Sequence, residues 1–373
     1  MKLSILFNLN KRKASAVAIF AGFLLVLLVN STNAASITVS PPKHEFDTEP
    51  GVSIAEVISI TNGDFVDLVL ESSVADFIAE GEAGKAAFVE NEDESTFSLA
   101  SWITLPDGQI IIPAGEKVEI PFSITIPENA EAGGHFGTIF FSPVVEDEGG
   151  VAVRQKVGVL LLVRVSGDVI EEGELSKFGA YSADTKIEQV ANKKPSKIFQ
   201  KFPINFATRV TNTGNVHIKP IGTITLTNTF GKELTRVGEK LILNDSGAVK
   251  GLEISDTIPV NDSRGNVLPE SSRVYLSQWK GYASVVFNDQ EEREIVWKGI
   301  GLGRYKAELK LQYGENQFEK QVIHFWVIPW MIILPSLIGL IILIWIIKKA
   351  RHSSRERLKS SLRKEIEGED GWT

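Results

Sequence analysis

The 373-residue sequence predicts an all-β chain: two tandem immunoglobulin-like β-sandwich domains with an apolar segment near each end. Three observations predict it. Between Ser36 and His324 short runs rich in Val, Ile, Thr and aromatic residues recur, bounded by Gly, Pro, Asn or Asp, with almost no helical periodicity. A Thr-Asn pair followed by glycine and a new apolar run occurs twice, in ISITNGDFVDLVL at 58–70 and in TRVTNTGNVHIKP at 208–220. Cysteine is absent, so neither a disulfide framework nor a thiolate metal site supports the fold, and packing with backbone pairing must do so.

The elements follow in chain order. Residues 1–35 read as a signal peptide: Lys2, Lys11, Arg12 and Lys13 without an acid, then ASAVAIFAGFLLVLLV, then small residues with Thr32 and Ala34 at the −3 and −1 positions. Cleavage is expected after Ala34 or Ala35, and an uncleaved signal anchor is the other reading. Residues 36–170 form the first sandwich, with strands in SITVS, VSIAEVISIT, FVDLVLESS, TFSLASWITL, KVEIPFSITIP, HFGTIFFSP and VAVRQKVGVLLLVRVSG. In it, Asn62 and Gly63 either close a tight hairpin or form the corner that carries strand B to strand C in the opposite sheet. The second copy at Asn212 and Gly214, also early in its half, favours the corner, with the glycine at positive φ. IPENAEAGGHFGTIFFSP at 126–143 sets a polar bend and Gly133-Gly134 before an aromatic-rich strand, as the link into strand F does.

The second sandwich occupies 171–324, with the Lys-rich stretch at 183–201 as a polar loop or linker and the domain boundary near 170. Its runs are FPINFATRVT, HIKPIGTITLTNT, SSRVYLSQW, YASVVFND, REIVWKG, RYKAELKLQYG and NQFEKQVIHFW. Tyr305 stands where a strand-F tyrosine bonds back to the preceding corner, and GENQ closes the F–G hairpin. Residues 325–347, FWVIPWMIILPSLIGLIILIWII, carry no charge over 23 residues, enough for a transmembrane helix bent or entered at Pro329 and Pro335. Trp326, Trp330 and Trp345 lie toward its ends, and Lys348, Lys349 and Arg351 follow at once. The positive-inside rule puts the basic tail 348–373 in the cytoplasm and the bulk of the chain outside, as a single-pass type I protein of the cell membrane.

This placement redistributes the charge. Of 39 basic and 47 acidic residues, four basic ones precede residue 14 and eight basic with five acidic ones follow residue 347. The remainder holds 27 basic and 42 acidic residues, a net charge of −15 that repels nucleic acid and anionic polymers.

Candidate chemistry is sparse. His44, His135, His217, His324 and His352 show no metal-ligand spacing, and neither a nucleophile elbow nor a phosphate loop is present. The expectation is therefore a non-enzymatic protein with no catalytic, cofactor or metal residues and no cofactor. Acid clusters at 90–94, 146–148 and 288–294 lack EF-hand order and read as solvated loops. Trp102, Trp279 and Trp297 are either core residues, the favoured reading, or a stacking platform for sugar or a partner. In the tail, Leu358, Leu362 and Ile366 fall at helical spacing, suited to the inner leaflet or to no further role.

The layout, together with ITVSPPKHEFDTEPG at 37–51, IPENAEAGGHFGTIFFSP at 126–143, TNTGNVHIKP at 211–220 and GRYKAELKLQYG at 303–314, resembles the Gram-positive surface proteins described as WxL-interacting. Their first domain is called peptidoglycan-binding and their second host-binding. The resemblance implies a bacterial cell-surface binding or adhesion module whose partner is cell-wall polymer or another surface protein. It assigns no binding residue to a position here. The other functional class left open is an envelope assembly scaffold or chaperone acting by β-strand pairing.

Overall fold

Period-two alternation of inward and outward side chains builds the first sandwich in the computed structural model, which describes residues 37–89, 97–144, 156–243, 249–287, 293–299, 301–314 and 317–369. The expected signal peptide and the acid clusters at 90–94 and 146–148 lie outside the described residues, as does most of 288–294. The strands are β1 (Ile37–Ser40), β2 (Lys43–Thr48), β3 (Ser53–Asn62), β4 (Leu68–Glu80), β5 (Lys85–Val89), β6 (Ile103–Thr104), β7 (Ile110–Ile112), β8 (Lys117–Thr125), β9 (Gly133–Pro143) and β10 (Val157–Val165). One sheet runs β1-β3-β8-β6; the other runs β2-β10-β9-β4-β5, with β7 also on β4. Along β10, Val159, Leu161, Val163 and Val165 are buried in the core, while Leu160 and Leu162 turn to the outer face beside Phe77 and Phe136.

The second sandwich repeats the plan. Its strands are β11 (Gly173–Ser182), β12 (Ile198–Phe199), β13 (Ile204–Asn212), β14 (Ile221–Thr227), β15 (Gly238–Leu243), β16 (Val249–Ser255), β17 (Ile258–Val260), β18 (Ser272–Trp279), β19 (Tyr282–Phe287), β20 (Arg293–Lys298), β21 (Gly303–Tyr313) and β22 (Gln317–Val327). The sheets run β11-β13-β18 and β12-β22-β21-β14-β17. The strand pairs β15-β16 and β19-β20 form separate two-stranded hairpins. YASVVFND and REIVWKG thus pair with each other instead of joining the sandwich, and β15-β16 has no counterpart in the sequence reading. The polar stretch after β11 holds the short helix α1 (Ile187–Val190). Trp279 is fully buried at the centre of the core, with the rings of Phe202, Tyr305 and Phe325 at 4.5, 5.1 and 6.2 Å. Tyr305 joins this cluster, where the sequence suggested a bond back to the corner.

Both Thr-Asn sites are corners: β3 and β13 lie in one sheet, and the following β4 and β14 lie in the opposite sheet. The fully buried Asn62 donates through Nδ2 to the carbonyls of Val66 (2.8 Å) and Ile112 (3.1 Å) and accepts from the Asp64 amide. Asn212 repeats the set with Val216 (2.8 Å), Val267 (2.9 Å) and the Gly214 amide. One side chain thereby pairs the backbone groups that a chain crossing between sheets leaves unsatisfied. Neither Gly63 nor Gly214 is at the expected positive φ; Gly214 is glycine because a Cβ there would collide with the Ile170 carbonyl.

The apolar run at 325–347 is divided. Phe325 and Val327 belong to β22 and are buried in the second core, so they are structural residues of the sandwich. The helix α2 (Trp330–Glu369) begins three residues later, and its segment Trp330–His352 is long and apolar enough to cross a membrane.

Replacing either asparagine tests the corner. Asn212→Ala leaves buried carbonyls without donors and should destabilise the second sandwich by about 2–3 kcal/mol in denaturant unfolding. Asn62→Ala should do the same to the first sandwich alone.

Candidate functional site

Two reciprocal contacts join the sandwiches. The turn 81–84 between β4 and β5 docks on the β13–β18 sheet: Glu82 accepts from Arg209 Nε (3.0 Å) and Nη2 (2.7 Å), and its carbonyl accepts from the Val274 amide. In the other direction, the corner after Asn212 docks on the start of β9. Asn215 Oδ1 accepts from the Ile170 amide at 2.7 Å, Nδ2 donates to the carbonyls of Ala132 and Asp168, and the Asn215 carbonyl accepts from Gly134 at 2.8 Å. Gly133, at φ +132°, permits this approach, because a Cβ would stand 2.7 Å from the Asn215 carbonyl. Glu45 adds three bonds, to Lys43 (2.6 Å), Lys219 (2.6 Å) and Asn266 (2.8 Å).

A cleft of about 260 Å³ lies along this seam, lined by Phe77, Leu160, Leu162 and Leu268 with Lys43 and Arg273. Lys85 also lines it, and the other two cations are already engaged. Lys43 pairs with Glu45, while Arg273 donates to the Asn266 carbonyl at 2.7 Å and covers the Tyr275 ring. The cleft therefore works as a joint. His217 packs across the seam against the Phe136 ring, 5.8 Å between centroids, with its Nδ1 lacking a protein partner among the described residues. Burial pushes His217 down to about 4; Glu45 and Asp47 oppose that shift, and Lys219 and Lys43 reinforce it. Burial alone would raise Glu45, but its bonds from Asn266, Lys219 and Lys43 prevail and hold it at about 2.

The unsatisfied surface lies elsewhere, at the edge of β22. In the first sandwich the last strand, β10, is flanked by the six residues of β2 in parallel, from Leu160 to Val165. In the second sandwich the corresponding strand, β12, covers only Trp326 and Val327 of the eleven-residue β22. The Trp326 amide points to that side, bonded to the Lys197 carbonyl. By strand periodicity the backbone groups of Phe318, Lys320, Val322 and His324 face the same way. Among the described residues no strand pairs with them there. Near the start of the edge, Gln317 and Glu319 reach across to the amides of Gly173 and Leu175.

Beyond that point the two sheets part into a groove of about 760 Å³. Its apolar lining includes Phe178, Pro195, Ile323 and Trp326, and its charged lining is Lys194, Lys197 and Arg304, with His324 and without an acid. The loop 194–197 closes one end, with Ser196 donating to the Ala180 carbonyl. The combination of open backbone edge, apolar slot and basic rim suits an extended peptide that adds to β22 and inserts an apolar side chain.

The residues singled out from sequence do not converge. Trp279 fills the core; Trp102 packs on His135, 4.4 Å between ring centroids; Trp297 lies on the β19-β20 hairpin, bonded to Glu239 at 3.0 Å. The edge itself carried one signal: QFEKQVIHFW places polar residues on both faces of a strand, which fits a strand with a free side.

No protein-family description and no curated protein matches the chain. Similar solved structures include the class 5 fimbriae chaperone CfaA, at 12% identity over 79% of this chain and 100% of that one with a TM-score of 0.34. The YadV chaperone has 11% identity over 78% and 99%, TM-score 0.31. The E. coli chaperone DraB has 12% identity over 77% and 98%, TM-score 0.30. At these scores the likeness carries nothing about this chain's role, and the fold stands on its own sheets.

The joint has a pH signature. Unfolded histidine binds a proton below about 6.5, whereas buried His217 does so only near 4, so its contribution is intact above pH 6.5 and is lost as pH falls toward 4. Glu45, held low, keeps its contribution until pH falls below about 4.3. Wild type should therefore lose about 1–2 kcal/mol between pH 7 and 5 in chemical unfolding, and His217→Gln should flatten that drop.

Proposed function

We propose that this chain is a single-pass envelope protein, facing outward, whose membrane-proximal sandwich binds an extended segment of a partner protein by β-strand pairing, in a scaffolding or assembly role without catalysis. The open edge of β22 beside its basic, apolar groove carries this reading. A strand added there would satisfy backbone groups that β2 satisfies in the first sandwich. The groove's three basic residues, in an outer region of net charge −15, favour a partner segment that is apolar and acidic. The outward orientation rests on Lys348, Lys349 and Arg351 directly after the uncharged run that ends at Ile347. The resemblance to WxL-interacting proteins supports the same layout, with a companion surface protein as partner.

Adhesion through the first sandwich to a surface protein or cell-wall polymer is a second reading. It is favoured by the distal corner, where Phe65 is 94% and Val66 69% exposed.

Proline substitution separates these readings from each other and from misfolding. The Val322 amide faces the open side, so Val322→Pro should leave the fold intact yet block strand addition. Ile323→Pro removes an amide that pairs with β21 and should unfold the sandwich. With a photo-crosslinker at position 320 of the full chain in envelopes, a discrete protein adduct should form and disappear in Val322→Pro. Adducts that persist in that variant, or that form only from a crosslinker at position 65, would overturn strand pairing.

A further inference from the structure

The second sandwich leaves large apolar side chains in solvent at one pole. Phe230 is 92% exposed, Leu302 64%, Ile198 63% and Trp326 45%. They come from four separate segments and are drawn together by backbone pairing. Ile198 is the parallel partner of Trp326, and Arg304, two residues beyond Leu302, is its antiparallel partner. Thr229 Oγ1 donates to the Arg304 carbonyl and accepts from the Arg304 amide, both at 2.9 Å, which ties the turn holding Phe230 to the same place.

That turn is built to present its ring. Asn228 Oδ1 accepts from the amides of Phe230 (3.0 Å) and Lys232 (3.1 Å), and Gly231 adopts φ +77°. An exposed phenylalanine on a braced turn, grouped with Leu, Ile and Trp, marks a surface with an apolar neighbour.

The neighbour is identified by what emerges from the pole. Trp326 ends β22, and only Val327, Ile328 and Pro329 separate it from Trp330, the first residue of the apolar segment Trp330–His352. The Ile328 amide is bonded to the Phe199 carbonyl, so this link is held against β12 and has no slack. Exposed cations lie around the apolar group, Lys197, Lys201, Lys232 and Arg304, together with two exposed acids, Glu233 in the Phe230 turn and Asp184 facing Lys201. Aromatic and aliphatic side chains ringed by Lys and Arg form the composition that settles at the boundary between headgroups and acyl chains.

We propose that this pole is seated in the outer headgroup layer of the same bilayer that α2 crosses, with Phe230, Leu302, Ile198 and Trp326 dipped below the phosphates and the four cations at phosphate level. The proposal rests on the reading of Trp330–His352 as a membrane span. It adds that the sandwich lies on the membrane in one orientation. Because Lys197, Arg304 and Trp326 also line the groove beside β22, the groove then opens at the membrane surface, where a partner's juxtamembrane segment passes.

The chain has no cysteine, so Phe230→Cys, Leu302→Cys, Phe65→Cys and Leu343→Cys each give one labelling site. The full chain, labelled with an environment-sensitive fluorophore and reconstituted into phosphatidylcholine vesicles with or without phosphatidylglycerol, is then quenched from lipid or from water. Labels at 230 and 302 should be blue-shifted, quenched by headgroup spin-labelled lipid, and severalfold less accessible to iodide than the label at 65. If they match the label at 65 while the label at 343 is quenched only from within the bilayer, the seated pole is wrong and the span stands. If the label at 343 is also open to iodide, the span is wrong and the seated pole falls with it.

Discussion

The rest of the structure depends on the absence of slack between β22 and α2. Phe325 and Val327 fill the core of the second sandwich, and the helix starts at Trp330. A strand paired to β21 over eleven residues cannot swing independently of its sheet. Whatever holds the helix therefore holds the sandwich, and through the seam it holds the first sandwich as well. The Glu82–Arg209 pair and the Asn215 contacts tie the two sandwiches at separate points, which resists rotation about either one.

The two asparagine corners show how one device serves two ends. Each buried amide satisfies the carbonyls of its own crossing, so the corner projects as a stiff element. In the second sandwich the projecting residues are Asn215 and His217, and they are absorbed by β9 of the first. In the first sandwich the equivalent residues are Phe65, which is 94% exposed, and Asp67, which accepts from the Ala114 amide of its own sandwich. The same stiffness that fixes the joint thus presents Phe65 outward, which underlies the second functional reading.

Much of this architecture was legible because it rests on local chemistry. Alternation marked the strands, Thr-Asn with glycine marked both sheet crossings, and a long uncharged run marked the helix. What stayed hidden depends on pairing over long range. The register that leaves β22 open is set by the length of β12, two residues inside a Lys-rich stretch that reads as a loop. The apolar run at 325–347 looks uniform in sequence, yet the core of the sandwich claims its first residues, because burial against Trp279 and Phe199 competes with lipid for the same side chains. Gly214 illustrates the converse: its identity was informative, but the reason is the Ile170 carbonyl, 44 positions away in the chain and brought alongside by the pairing of β11 with β13.

The electrostatics bring the edge and the pole together. Residues 36–170 hold 23 acidic and 6 basic residues, a net charge of −17 that repels anionic headgroups and polymers. Residues 171–324 hold 21 basic and 19 acidic residues, with Lys194, Lys197 and Arg304 along the groove and Lys201 and Lys232 also exposed. In the proposed seating, an acidic first sandwich and a basic patch at the root of the helix would experience a torque near an anionic membrane: the root drawn in and the first sandwich pushed off. Such an orientation would hold the free side of β22 at a fixed height above the membrane. An exposed edge strand invites indiscriminate pairing unless access is restricted. With the proposed bilayer beneath it and the Gln317 and Glu319 bonds at its far end, the edge would keep a short window, open to a segment already extended at the membrane surface.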